Sequence, residues 1–264
     1  LRTSVRFEGI DKPKIVDELR QVANFPAFDR FPTREFLFQQ RAQRYVPELT
    51  SVLTSHGYYA ADIDIHIRQD DKNDLEVLYN VQPGPAYSVA EVKIQIDDIN
   101  PDNRASLKRP DPEKLGIGKG DAATAETIRS AADKCKTLLR KQGFAFADTV
   151  QAKVSVNHDQ RTVRVVLCAK TGPLTHFGKT RIKGLETVKE TFVRSRLPWQ
   201  AGDPYDPEKV RTLRQRLVET QLFSLVRVQR STEEPQAELP MRIELTEADH
   251  RAVSTGVGYE TDRG

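Results

Sequence analysis

Val81-Gln82-Pro83-Gly84-Pro85-Ala86-Tyr87-Ser88-Val89 is the stretch on which the fold turns. It joins an apolar run ending at Val81 to another that reads on through Val92, Ile94 and Ile96. Lys170-Thr171-Gly172-Pro173-Leu174-Thr175-His176-Phe177 stands the same way between the runs around Val165 and Ile182. Proline fixes φ and lacks an amide donor, while glycine reaches φ values that other residues avoid. A strand–Gly-Pro–strand sequence therefore reads as a joint with little slack. The steps Gly84-Pro85 and Gly172-Pro173 lie 88 residues apart (172 − 84). Pro83, Gly84, Pro85, Gly172 and Pro173 thus mark interdomain joints between copies of one small unit.

Outward from the first joint, Val5-Arg6-Phe7 is a strand candidate, and Ile15, Val16, Leu19 and Val22 recur at helical spacing. A second helix runs from Arg34 through Tyr45, Leu49, Val52 and Leu53, with Pro47 expected in a first turn or at a kink. Gly57 should end it in the left-handed conformation. Asp62–Ile67 alternates strictly, and Leu75–Val81 returns. The second pass has a strand at about Ala86–Asp97 and a poorly formed first helix in a loop with Pro101, Pro110 and Pro112. A helix carrying Ile128, Ala131, Ala132, Cys135, Leu138 and Leu139 then ends near Gly143, and strands follow at Val150–Asn157 and Thr162–Lys170. The third pass reads as a strand at Thr175–Lys183, a helix around Val188–Leu197, and a helix capped by Asp206 with Pro207 at its first position. Strands at Leu222–Val228 and Met241–Leu245 close it. Gln221 replaces the helix-ending glycine. The expected fold is α+β, with three tandem β-α-α-β-β domains, each a three-stranded sheet covered by two helices. Their bounds are 1–84, 85–172 and 173–248. Residues 249–264 alternate small or polar residues with Val, Thr and Tyr and read as an ordinary strand or the start of a first barrel strand, the barrel itself lying outside the chain.

The 264 residues are 38% hydrophobic and 30% charged, the composition of a folded globular chain. Lys plus Arg is 41 against 38 for Asp plus Glu, so the charge of +3 gives little support to nucleic-acid binding. The arginines of Arg211–Arg216 alternate with Leu213 and Leu217 as a solvated helix face does. No stretch has the ~18 apolar residues of a spanning helix. The chain opens without Met or a signal-type apolar region and reads as a processed or excised piece. Two cysteines, Cys135 and Cys168, exclude a disulfide scaffold and a Cys-rich metal site. A single bridge between them stays open.

Catalysis finds no foothold. Asp62 and Asp64 share one face of an alternating strand, the usual solvated side. His56, His66, His158, His176 and His250 lack ligand spacing. Gly116-Ile117-Gly118-Lys119-Gly120 lacks the Lys-Ser/Thr ending of a P-loop and follows a proline-rich loop instead of a strand. No enzyme, cofactor or metal is expected.

Tandem β-α-α-β-β units with Gly57-Tyr58-Tyr59, Gly143-Phe144, Gly120-Asp121, Gly202-Asp203 and Pro83-Gly84-Pro85 in this order resemble polypeptide-transport-associated (POTRA) domains. These are periplasmic modules of outer-membrane barrel proteins that insert or secrete other barrels. Ser254-Thr255-Gly256-Val257-Gly258-Tyr259-Glu260-Thr261-Asp262 resembles the lead-in to the barrel of the TamA type, the translocation and assembly module. The resemblance implies strand order first–third–second, with the second strand on an edge. An edge strand offers unpaired N–H and C=O groups to an extended partner. The candidate partner-binding positions are Ala61, Ile63, Ile65 and Ile67; Val150, Ala152, Val154 and Val156; and Phe223, Val226 and Val228. An edge merely guarded by Asp62, Asp64, Lys153 and Arg227 is the plainer alternative. The implied partners are unfolded outer-membrane or autotransporter clients, a periplasm-spanning inner-membrane protein (TamB-like) and the chain's own C-terminal barrel. A free-standing periplasmic adaptor of the same domains is the runner-up, and an envelope hydrolase comes third. Trp199 and Tyr205 would touch barrel turns or simply pack locally.

Overall fold

The first strand, β1 (Thr3–Glu8), leads into α1 (Pro13–Val22) through Gly9, whose φ is +84°. A Cβ there would overlap the Val81 carbonyl oxygen, so only glycine lets the chain turn so close beneath the sheet. The computed structural model describes residues 3–23, 35–69, 75–98, 107–148, 150–232 and 234–248. Helix α2 (Glu35–Ser55) follows, then β2 (Asp62–Gln69) and β3 (Leu75–Gln82). The sheet order is β1-β3-β2, β1 parallel and β2 antiparallel to the centre. Leu19, Leu49, Leu53, Val77 and Tyr79 fill the core between helices and sheet. The Tyr79 hydroxyl donates to the Ala42 carbonyl at 3.1 Å and pins α2 to the central strand. Burial first, and nearby Tyr45 second, push that phenol's pKa up. Pro47 lies inside α2, away from any first turn. Its ring and Gln43, whose carbonyl loses its donor, are both solvent-exposed, so that carbonyl is open to solvent.

The second sheet, β4 (Ser88–Asp98), β5 (Val150–Asn157) and β6 (Thr162–Lys170), has the order β4-β6-β5. Among the described residues between β4 and the next helix stands a 3-10 turn, Pro112–Leu115, capped by Asp111. Helix α3 (Ala125–Lys141) buries Ile128, Ala131, Cys135 and Leu139. The third sheet, β7 (His176–Lys183), β8 (Phe223–Arg230) and β9 (Glu238–Glu247), has the order β7-β9-β8, with a short α4 (Glu190–Arg194) and α5 (Pro207–Glu219). Asp206 caps α5 as expected, accepting from the Glu208 amide at 2.8 Å. Gly184 (φ +83°) repeats the role of Gly9, passing under the Leu245 carbonyl. Just beyond, the Glu247 carboxylate accepts from the amides of Glu186, Thr187 and Val188 and from the Thr187 hydroxyl. Those donors, led by Thr187, hold its pKa down at about 2. By density of backbone contacts the chain forms two compact units. Counting the described residues within these bounds, one holds 3–98, 107–138 and 147–170, and the other 139–146 and 171–248.

Helix ends repeat. At Gly57 (φ +91°) the amide bonds the Thr54 carbonyl and the Tyr58 amide bonds that of Leu53, a Schellman ending. Gly143 (φ +96°), with Arg140 and Leu139, does the same. After α5, Gln221 adopts φ +56° in the place of glycine. The backbone bonding beyond Gly57 and Gly143 repeats as well. In the first unit the Gly57 carbonyl accepts from Tyr87, Tyr87 accepts from Ala123, Val89 donates to Asp121, and Gly120 donates to Val89, all between backbone atoms at 2.8–3.1 Å. In the second unit Gly143, Thr175, Tyr205, Phe177, Asp203 and Gly202 form the same chain of bonds at 2.7–2.9 Å. Asp121 and Asp203 each fold a side-chain oxygen back onto the amide three residues earlier, Gly118 and Gln200. The Gly116–Gly120 loop is thereby closed on itself, with Ile117 buried.

Gly84 (φ +66°) and Gly172 (φ +64°) sit in the five-residue connections 83–87 and 171–175 that link β3 to β4 and β6 to β7. The carbonyl of Ala60 lies 3.3 Å from where a Cβ would stand on Gly84, and the Phe146 Cβ 3.1 Å from the same point on Gly172. Pro83, Pro85 and Pro173 flank these glycines, each with its own φ fixed by the ring. Cys135 and Cys168 are both buried and unbridged, and burial raises the Cys135 thiol to about 11, so it is inert.

Candidate functional site

Every sheet places its second strand at an edge, with the third strand central. The first strands are edges too, a point the sequence pattern does not raise. They are not equally free. Val89 in β4 exchanges backbone bonds with Gly120 and Asp121, and Phe177 in β7 with Gly202 and Asp203. Among the described residues, β2, β5 and Phe223–Gln229 of β8 have no backbone partner beyond the central strand.

The predicted partner-binding residues divide sharply. Ala61 falls outside β2, which begins at Asp62; the Asp62 carboxylate accepts from the Ile63 amide and so starts the strand there. Ile63 is buried in the first core, Ile65 is half-buried against it, and Ile67 is half-buried. Phe223 and Val226 are buried and Val228 half-buried in the third core. On β2 the backbone edge and the polar side chains between these residues face outward; on β8 Leu225, 45% exposed, does so as well. Asp64 there accepts from Gln82 at 3.2 Å, and Arg227 pairs with Glu244 at 3.5 Å, both surface contacts.

Strand β5 differs. Val150 is half-buried and every residue from Gln151 to Asn157 is exposed. Ala152, Val154 and Val156 stand opposite Leu167, Val165 and Val163 of β6. Paired residues project to the same face, and the three β6 partners are fully buried. The stripe Ala152-Val154-Val156 therefore lies on the core side of its sheet yet remains open, with Val154 38% and Val156 37% exposed. The physical reason lies in the helices. Helix α2 packs closely on β2 and α5 on β8, while α3 makes no comparable approach to β5. On the other face, Glu91 binds Lys93 at 3.0 Å and Arg164 at 2.9 Å, which lowers its pKa.

Trp199 stacks on Phe177 at 4.6 Å and donates to Thr180, and Tyr205 leans on the same ring; Trp199 is 4% exposed, so it belongs to local packing. Tyr59 and Tyr87 pack together. The Tyr59 hydroxyl donates to the Ala123 carbonyl, and the Tyr87 oxygen lies 2.9 Å from His158 Nδ1. Among the described residues no group of His, Cys, Asp and Glu could hold a metal ion, and no helix is long and apolar enough to cross a membrane. The segment 249–264, expected as the barrel lead-in, lies outside the described residues.

Residues 175–248 match the family POTRA, described as surface antigen variable number repeat. The outer membrane protein assembly factor BamA of Nitratidesulfovibrio vulgaris is 20% identical over 261 residues, 97% of this chain and 32% of the relative. The chain thus spans about a third of that curated relative's length. The crystal structure of Haemophilus influenzae BamA POTRA3-5 superposes with a TM-score of 0.55 at 17% identity, covering 93% of this chain and 96% of that one. BamA from Haemophilus ducreyi lacking POTRA domains 1-3 does so with a TM-score of 0.51 at 17% identity, over 61% of this chain and 30% of that one. The architecture is a tandem of POTRA-like units.

Proposed function

We propose that this chain is the periplasmic POTRA region of an outer-membrane barrel protein of the BamA kind, and that it assists the insertion or secretion of other barrel proteins by binding them as extended strands. One observation carries this reading: β5 offers an unpaired edge with neither face covered. An incoming strand would pair its backbone with that edge and lay alternate side chains beside Val154 and Val156. The work is done by surfaces and requires no reaction. The finer assignment is to the TamA type, with autotransporter clients and a TamB-like inner-membrane partner. It rests on the Ser254–Asp262 motif. The BamA relatives support a barrel-bearing protein over a free-standing adaptor.

The test is to add a peptide copied from a barrel strand to the isotope-labelled chain and follow backbone amide signals. Shifts should run along 150–157 and vanish when proline replaces Val154 or Ser155, whichever of the two N–H groups faces outward. Shifts confined to the helices would reject edge pairing.

A further inference from the structure

The bare stripe on β5 has a neighbour whose charge is distinctive. On α3, Ile128, Ala131 and Cys135 face the sheet. A Cβ on Gly116, just after the 3-10 turn, would stand 2.6 Å from Lys134 Nζ. That turn contacts β4, so the Lys134 flank of α3 looks toward β4. The opposite flank carries Arg129, Ala132 and Lys136, spaced three, four and seven residues apart and therefore aligned. With the strands in the order β4-β6-β5, this flank is the one on the β5 side of the helix. Neither Arg129 nor Lys136 makes an ion pair among the described residues. The cross-section reads, in order, 3-10 turn, helix α3, a basic margin, then an uncovered apolar strip one strand wide. In the first sheet that strip is the place where a helix lies over the second strand.

We infer that this face of the second sheet is a docking site for an amphipathic helix of a partner protein, with apolar residues toward Ala152, Val154 and Val156 and acidic residues along the flank that meets Arg129 and Lys136. The partner completes from outside the helix layer that the first sheet completes from within. Charge selects the occupant: unpaired cations beside an apolar strip favour a helix with a carboxylate margin and disfavour a basic one. A helix is the fitting element because helices cover sheet faces, whereas an added strand extends an edge. The two modes use different parts of β5, its face and its rim, and this inference stands apart from edge pairing.

The experiment uses the full chain with labelled valine methyls and a designed helical peptide of about 18 residues, five turns long, with a leucine stripe flanked by glutamates. The methyl signals of Val154 and Val156 should move on titration. The pair Val154→Lys and Val156→Lys should weaken binding at least about tenfold. The pair Arg129→Glu and Lys136→Glu should do the same, and a lysine-flanked version of the peptide should restore binding to that variant. That rescue also shows the variant is folded. Unmoved methyls, or equal binding of the glutamate and lysine peptides to the unaltered chain, would overturn the inference. A proline in β5 that abolishes strand-peptide shifts while the helical peptide still binds would separate the two modes.

Discussion

Strands β2 and β8 carry Ile63, Ile65 and Ile67, and Phe223, Val226 and Val228, toward covered faces; β5 carries Ala152, Val154 and Val156 toward an open one. The topology of the three sheets is the same, so the difference is made by what lies above. The first and third sheets follow their first strand with a glycine that dives beneath the central strand, Gly9 under Val81 and Gly184 under Leu245, and an α-helix comes next. In the second, β4 runs on to Asp98 and has two register shifts against β6, and the described residues before α3 form a 3-10 turn. The stripe on β5 is open because α3 does not lie over it as α2 lies over β2 and α5 over β8.

That contrast can be broken most forcefully at the glycines. Gly9→Ala or Gly184→Ala should each cost about 2–4 kcal/mol in urea unfolding, because the added Cβ meets a backbone carbonyl that has nowhere to go. An alanine at either place that leaves the midpoint unchanged would mean the turn is not essential to helix placement. Next come the strand side chains themselves. Ile63→Ala or Phe223→Ala should lose about 2–5 kcal/mol, while Val154→Ala should lose less than about 0.5, read from hydrogen exchange of each strand's own sheet. Equal losses on the two kinds of strand would erase the distinction drawn between them.

The Glu247 clasp sharpens the contrast, since Pro83 occupies the matching place two residues beyond Val81 in the first sheet. Its folded pKa of about 2 lies below the ordinary 4.5, so its contribution is fully present above about pH 4.5 and disappears as pH falls toward 2. Glu247→Gln should flatten the acid limb of the third sheet's stability in that window and leave the first sheet's limb alone. The smallest effect belongs to Gln221. A non-glycine residue at φ +56° is strained by roughly 1–2 kcal/mol, so Gln221→Gly should raise the thermal midpoint of the third sheet by about 1 kcal/mol equivalent.

Much of this was written in local chemistry. Gly57 and Gly143 announce helix endings, Asp206-Pro207 a helix start, and the alternation of Asp62–Ile67 a half-covered strand. Gln221 departs from the repeat in letters while keeping its backbone angle, because the surrounding turn demands that angle. The openness of β5 was not legible, since Val154 and Val156 alternate just as Ile63 and Ile65 do. Whether an apolar stripe is covered depends on a helix encoded elsewhere. The small size of Ala152 and the valines, against Ile and Phe on the other two strands, was the one local hint. Nor could pattern reveal that Val89 and Phe177 bond outward near the start of their strands, for those contacts run between main-chain atoms.

The paired ladders around Gly57 and Gly143 have an evolutionary corollary. Tyr87 and Thr175 differ in size and shape, as do Ala123 and Tyr205, yet each couple engages through the same amide and carbonyl. A seam stitched by peptide groups puts almost no demand on spelling: it asks for glycine at the corners, aspartate at the fold-back, and lets the rest drift.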